Sequence, residues 1–288
     1  MSTNSNLTIA AILGKTVPYL AEKGLPNPRL EADLMLGFVL DLPRVKLYSD
    51  WDRPLNPDEI QRYREIIAKR VQGWPMAYLT GKKPFLSWDF VVNRAVLIPR
   101  PETEELVEAV VTAVKGRTVC WGADIGTGSG AIGIALAKAL PESQWVAVDI
   151  SPEALEVAQT NAANLEVAER IRFVQGDLLQ PLLDSGQRFD LIVSNPPYIP
   201  SSEIAGLQPE VRKEPVLALD GGPDGLDPYR RMIPQLDQVL APEGIVAFEH
   251  GADQREPLTE LLNTAGYAST ALQDLAGLDR IIIAHKSE

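Results

Sequence analysis

From about Leu106 onward, short apolar runs rich in β-branched and aromatic residues alternate with stretches of helical periodicity. The runs occupy residues 118–125, 145–150, 171–174, 189–193, 244–248 and 280–284. Strands joined through helices pair in parallel, and a parallel sheet is covered by helices on both faces. The pattern therefore predicts an α/β domain with a largely parallel sheet. In such sheets ligands bind beyond the carboxyl ends of the strands, where the strand order reverses. Functional residues are expected just after strands.

The N-terminal part reads differently. Residues 7–22 form one expected helix, and Leu30, Leu34 and Phe38 mark a second by their helical spacing. Ile60, Tyr63, Ile66, Ile67 and Val71 mark a third, with Asn56 as its cap, Pro57 at its first position and Asp58 and Glu59 in its first turn. Residues 1–72 are thus expected to be a small all-helical domain. Residues 73–97, rich in Gly, Pro and aromatics, read as a linker or β-hairpin, and 98–288 as the α/β domain.

Composition narrows the function classes. A formal net charge of −12 argues against a partner held by phosphate neutralisation, so no direct nucleic-acid binding is expected. No run is apolar enough to cross a bilayer, and Met1-Ser-Thr-Asn-Ser-Asn lacks the basic-then-apolar order of a signal peptide. One cysteine, Cys120, excludes an internal disulfide and a cysteine zinc cluster, which fits a reducing cytoplasm. With only His250 and His285 besides, no metal site is expected. Cys120 falls inside the first expected strand and reads as core; His250 reads as structural. The chain is expected to act as a monomer.

Directly after the first strand comes Asp124-Ile-Gly126-Thr127-Gly128-Ser129-Gly130, opening a helix. Glycines let the backbone turn sharply and approach a ligand closely, and the helix start offers free N–H groups. The next strand ends in Asp149, a carboxylate placed to hold both ribose hydroxyls of an adenosine. On these residues alone NAD and S-adenosylmethionine are hard to separate, because Gly126, Gly128 and Ala131 also satisfy the dinucleotide fingerprint. After the third strand, Asp177 can accept from the exocyclic amine of an adenine and Leu178 can pack on its ring; a turn aspartate with a core leucine explains them equally well.

The fourth strand leads into Ser194-Asn195-Pro196-Pro197-Tyr198. Two prolines make a rigid turn and remove two N–H groups. The Asn195 side-chain oxygen and the Pro196 carbonyl remain as acceptors, and Tyr198 supplies a flat face. A planar NH₂ group needs this set: two acceptors for its hydrogens and a ring over its plane, with the lone pair aimed at a methyl donor. A dehydrogenase has no evident use for it, so S-adenosylmethionine is favoured over NAD.

Asn195-Pro-Pro-Tyr198 resembles a motif shared by amino-group DNA methyltransferases and protein glutamine-N5 methyltransferases. Leu97-Ile-Pro-Arg-Pro-Glu-Thr-Glu104 and Pro75-Met-Ala-Tyr-Leu-Thr-Gly81 with Phe85 are similar to the second group. So are Glu214-Pro-Val-Leu-Ala-Leu-Asp-Gly-Gly-Pro-Asp-Gly-Leu226, Asp274-Leu-Ala-Gly-Leu-Asp-Arg280 and Arg29-Leu-Glu-Ala-Asp-Leu-Met35. Along nearly its whole length the chain resembles the HemK/PrmC family of release factor glutamine methyltransferases.

That resemblance implies a class I S-adenosylmethionine-dependent fold with a seven-stranded sheet, and a helical domain that helps dock a class-1 peptide chain release factor. The implied reaction methylates the glutamine of a Gly-Gly-Gln loop and modulates translation termination. Gly126, Thr127, Gly128, Ser129, Gly130, Asp149, Asp177 and Leu178 would bind cofactor, with Asn195 shared between cofactor and substrate. Asn195, Pro196, Pro197 and Tyr198 would hold the glutamine amide, with Asn195, Pro196 and Tyr198 as the catalytic set. Some members place a tryptophan on the adenine where this chain has Leu178. Glutamine methylation of a ribosomal protein and adenine-N6 methylation of nucleic acid are the alternatives, the second opposed by the charge. Arg100, Glu102 and Glu104 either shape the site entrance or cap a helix that starts near Thr103.

Overall fold

The computed structural model describes residues 7–287; Met1 to Asn6, on which the reading of a leader rests, lie outside them. The chain divides into two compact units, Met1–Gly81 with Pro209–Lys213, and Lys82–Gln208 with Glu214–Glu288. Among the described residues no helix is long and apolar enough to cross a membrane.

The first unit consists of α1 (Ile9–Glu22), α2 (Pro28–Leu40), α3 (Arg44–Ser49), α4 (Pro57–Val71) and α5 (Met76–Thr80). The Asn56 side chain accepts from the Glu59 N–H while the Glu59 carboxylate accepts from the Asn56 N–H, a reciprocal cap that starts α4. Ile9, Leu13, Leu20, Met35, Leu36, Tyr63 and Ile66 form the core, and the Tyr63 hydroxyl donates to the Ala32 carbonyl at 3.1 Å. Leu30, Leu34 and Phe38 do lie in a helix, but on its outer face, 40%, 41% and 50% exposed. The core takes Ala32, Met35, Leu36 and Val39 instead. Arg70, almost fully buried, donates to Glu31 at 2.7 and 2.9 Å and to Glu210 at 2.9 Å. The unit runs to Gly81 because α5 sets Met76 and Leu79 against the same core.

The second unit opens with a hairpin, β1 (Lys82–Phe85) and β2 (Trp88–Val91), followed by α6 (Pro101–Ala113). Then β3 (Trp121–Ile125), α7 (Ala131–Ala139), β4 (Gln144–Asp149), α8 (Pro152–Asn164) and β5 (Ile171–Gln175) follow one another. The chain continues through α9 (Gln180–Ser185), β6 (Phe189–Ser194), α10 (Asp227–Met232), α11 (Leu236–Val239) and β7 (Leu240–Glu249). It ends with α12 (Arg255–Thr264), β8 (Tyr267–Gln273) and β9 (Asp279–Lys286). The sheet order is β5-β4-β3-β6-β7-β9-β8, parallel throughout except that β9 runs against both its neighbours.

Successive strand residues point to opposite faces. Trp145 and Ala147 of β4, Leu191 and Val193 of β6, and Ile245 and Ala247 of β7 face the core shared with α6, α7 and the hairpin phenylalanines. Val146, Val148, Ile192, Val246 and Phe248 face the opposite core with Leu182, Tyr229, Met232, Leu236, Leu258 and Leu262. The sheet is thus the middle of three layers.

One expectation is corrected. Cys120 is exposed and precedes β3; its N–H, like that of Trp121, donates to the Asp190 carboxylate, at 2.8 and 2.9 Å. The strand begins only where the ladder to β4 does, at Trp121. The seventh strand, β8, was not among the six runs; as an edge strand it keeps several half-exposed residues and lacks a continuous apolar pattern.

Gly122 of β3 lies under the fully buried Trp145 ring, and a Cβ there would stand 2.6 Å from it. Gly122→Ala is expected to lower unfolding free energy by about 1–3 kcal/mol through overpacking, read as a lower denaturant midpoint at unchanged slope.

Candidate active site

The strand order reverses between β3 and β6, and the loops leaving these two strands border one cleft of about 1040 Å³. The loop after β3 turns through Gly126, Gly128 and Gly130, with φ of +72°, +54° and +82°, a region that favours glycine. Beneath it, buried Asp124 accepts from the Thr127 hydroxyl at 2.7 Å and the Gly133 N–H at 2.9 Å. Burial pushes the Asp124 carboxyl up to about 6, partly opposed by those two hydrogen bonds. Its Oδ1 has no hydrogen-bond partner. A Cβ on Gly126 would meet nothing within 4 Å, so the backbone itself forms the cleft floor.

At the end of β4, the half-buried Asp149 carboxylate accepts from the Gly128 N–H at 2.8 Å and the Ser151 N–H at 2.9 Å. Burial raises its pKa, and the backbone donors pull it back. The two bonds tie the glycine loop to the start of α8, where Ser151 Oγ accepts from the Ala154 N–H. Asn161 of α8 adds a second tie: its Nδ2 donates to the Ser129 carbonyl at 2.8 Å and to Val91 of the hairpin at 3.0 Å. After β5, Leu178 lines the cleft with φ +51°, a strained value for leucine. Asp177 beside it is ion-paired with Arg231 across the rim.

After β6, Ser194 donates to the Ile125 carbonyl at 2.7 Å and locks the ends of β6 and β3 together. Asn195 Nδ2 donates to Thr103 Oγ1 at 3.1 Å, and Thr103 donates to the buried Glu249 carboxylate at 2.7 Å. The Tyr198 hydroxyl donates weakly to the other Glu249 oxygen at 3.4 Å. Burial pushes Glu249 up to about 7 and the Tyr198 phenol well above its ordinary value.

Of the residues expected at the site, Gly126, Thr127, Gly128, Ser129, Asp149, Asp177, Leu178, Asn195 and Pro197 line the cleft together. Gly130 turns the loop from behind, where an added Cβ would strike Ile134 at 2.7 Å. Pro196 is buried, and Tyr198 is half-buried against the core of Tyr229 and Phe248. Arg100 stands at the N-cap position of α6 without a side-chain bond to the helix, lines the cleft and pairs with buried Glu214 at 2.6 Å, while Glu104 accepts the Leu86 N–H at 2.8 Å. Glu102 lies in the first turn of α6. His250 is buried, with Nδ1 on the Gly251 carbonyl at 2.7 Å, and burial lowers its pKa. Thr103 and Glu249 are the residues that sequence reasoning missed. Thr103 lies inside the segment 97–104 and Glu249 directly precedes His250, but no spacing links the two or gives either a role.

A doubly wound seven-stranded sheet with an antiparallel strand, β9, set between β7 and β8, a glycine loop after its central strand and a carboxylate ending the next is the architecture of a class I methyltransferase. Residues 116–274 match the family model described as a methyltransferase domain, and residues 11–81 match the PrmC N-terminal domain. The release factor glutamine methyltransferase of Moorella thermoacetica is 45% identical over 98% of this chain and 100% of its own length. That of Geobacter sulfurreducens is 44% identical over 96% and 95%. The chain belongs to the release factor glutamine methyltransferase family. A solved ribosomal protein L11 methylase from Lactobacillus delbrueckii subsp. bulgaricus, 22% identical, matches 72% of this chain and 90% of its own with TM-score 0.51 and shares the fold alone.

The glycine floor and the strand-end carboxylate of Asp149, both lining the cleft, fit S-adenosylmethionine, a cation with a ribose. Asp149→Ala is expected to weaken its binding by about tenfold or more, the loss of charged hydrogen bonds, as measured by isothermal titration calorimetry.

Proposed function

We propose that this chain transfers a methyl group from S-adenosylmethionine to the side-chain amide nitrogen of the glutamine in the Gly-Gly-Gln loop of class-1 peptide chain release factors. The observation that carries the reading is Asn195. Its NH₂ is committed to Thr103, so its Oδ1 is the group left for a substrate at the end of β6. Kinship over nearly the full length with proteins named release factor glutamine methyltransferase supports the choice of substrate.

Gly126, Thr127, Gly128, Ser129 and Asp149 would hold the cofactor, with Leu178 and Asp177 at its adenine. When bound, S-adenosylmethionine supplies a methyl already activated on a sulfonium. The chain's own task is positioning. Asn195 Oδ1 and the Pro196 carbonyl accept the two hydrogens of the glutamine amide, and the Tyr198 ring covers its plane. An amide nitrogen is a poor nucleophile because its lone pair is delocalised into the carbonyl. Acceptors that hold both hydrogens orient that lone pair toward the donor and favour the reacting geometry. Taking up the methyl leaves the amide nitrogen positively charged and strongly acidic, so it releases one hydrogen as a proton to water to give the neutral N-methyl amide, and the chain needs no strong base. The helical unit is read as helping to dock the release factor, in the cytoplasm and with the enzyme as a monomer.

Labelled S-adenosylmethionine is the direct test, offered with purified release factor, with its loop Gln→Ala variant and with a DNA fragment. Label is expected on the wild-type factor alone; label on the Gln→Ala variant or on DNA would exclude this substrate. Asn195→Ala is expected to lower kcat by about a hundredfold or more while cofactor affinity holds, as for loss of an oriented polar group. Single-turnover transfer and calorimetry read the two effects separately.

A further inference from the structure

We infer that Thr103 and Glu249 form a positioning pair that fixes which way the Asn195 amide faces, and thereby sets the orientation of the methyl-accepting nitrogen. The inference rests on the reading of this site as a glutamine methyltransferase.

Glu249 is the last residue of β7 and is 1% exposed. It does not line the cleft; Thr103 and Asn195 do. Its Oε2 accepts from the Thr103 hydroxyl at 2.7 Å, its Oε1 from Tyr198 at 3.4 Å, and its backbone carbonyl from Tyr229 at 2.6 Å. An ionised carboxylate has no hydrogen to give, and a threonine hydroxyl has only one. With that hydrogen committed to Glu249, the Thr103 oxygen can only accept. The Asn195 group 3.1 Å away must then be its NH₂, which turns Oδ1 toward the substrate. The reversed amide would set two acceptors against each other. The charge on Glu249 thus decides, through one hydroxyl, which end of Asn195 meets the glutamine.

The device responds to pH. The groups acting on Glu249 are Thr103 and Glu102 of α6, Tyr198 after β6 and Arg280 of β9; Tyr229 of α10 meets its backbone carbonyl. Burial, followed by Glu102, raises its pKa, whereas the Thr103 and Tyr198 hydrogen bonds and Arg280 lower it, leaving it at about 7. Above that pH the carboxylate is charged and the chain of donors runs one way. Below it, the protonated carboxyl can give its own hydrogen to the Thr103 oxygen. The Thr103 hydroxyl is then free to turn toward Asn195, and either amide orientation is satisfied. Activity is therefore expected on the alkaline side and to fall as pH drops through about 7.

The test uses the full chain with S-adenosylmethionine and release factor. Thr103→Val keeps the volume and removes the hydroxyl; kcat is expected to fall by about tenfold or more, with cofactor affinity unchanged. Thr103→Ser restores the hydroxyl and most of the rate. Glu249→Gln, able both to donate and to accept, is expected to slow transfer and abolish the acid limb of the kcat profile. In parallel, the Asn195 side-chain NH₂ resonances are followed by ¹⁵N NMR without substrate. They are expected to titrate near pH 7 in the wild type and to stay flat in Glu249→Gln. The pair is overturned by wild-type kinetics in Thr103→Val, by equal losses in Thr103→Val and Thr103→Ser, or by an Asn195 signal that ignores pH in the wild type. Absence of transfer to the release factor by the wild type sinks the proposed function, while the NMR titration still judges the pair.

Discussion

A parallel sheet covered on both faces leaves only its edges and its strand ends open to solvent. Here the strand order reverses between β3 and β6, so the chain leaving one strand turns away from the chain leaving the other. The crevice between them is a topological consequence, present before any side chain is chosen. The candidate site hangs on its lip: the glycine loop after β3, Asp149 at the end of β4, Leu178 after β5 and Asn195 after β6 all line this cleft. Ser194 bridges the two central strands at that level through the Ile125 carbonyl, which holds the lip together.

Three buried carboxylates of the larger unit, Asp124, Glu214 and Glu249, each hold a residue that lines this cleft. A carboxylate out of water is costly unless its oxygens are hydrogen-bonded, and each of these organises a loop in return. Asp124 gathers Thr127 and Gly133 under the glycine loop. Glu214 takes the Ile98 N–H and the Arg100 guanidinium and so anchors the segment that leads into α6. Glu249 gathers Thr103 and Tyr198. Dipoles fixed in this way need no rearrangement when a substrate arrives, which is the physical content of a preorganised site.

Much of this was legible in the residue order. Strands buried on both faces declare themselves as continuous apolar runs, and the glycines, the Asn56 cap and the doubled proline act on their immediate neighbours. Legibility failed where tertiary packing outweighed local pattern. The spacing of Leu30, Leu34 and Phe38 is helical, yet that face of α2 is the exposed one, since periodicity reports a helix and not which side the core will choose. Cys120 continues an apolar run but lies outside the ladder, and β8 carries too little apolar alternation to stand out. Asp177 lines the cleft as well as meeting Arg231, 54 positions away, a partner that no spacing announces.

The sequence by itself determined the alternation of elements, the positions of the sharp turns and the residue types at each strand end, because these depend on interactions within a few residues. Only the tertiary structure decided which of those residues meet. Asn195 and Thr103 are separated by 92 positions and Thr103 and Glu249 by 146, and no periodicity spans such distances. They come together because α6 packs on β7 while β6 and β7 are neighbours in the sheet, with β3 on the far side of β6. Burial at that junction also gives Glu249 a proton affinity that no carboxylate has in an unfolded chain.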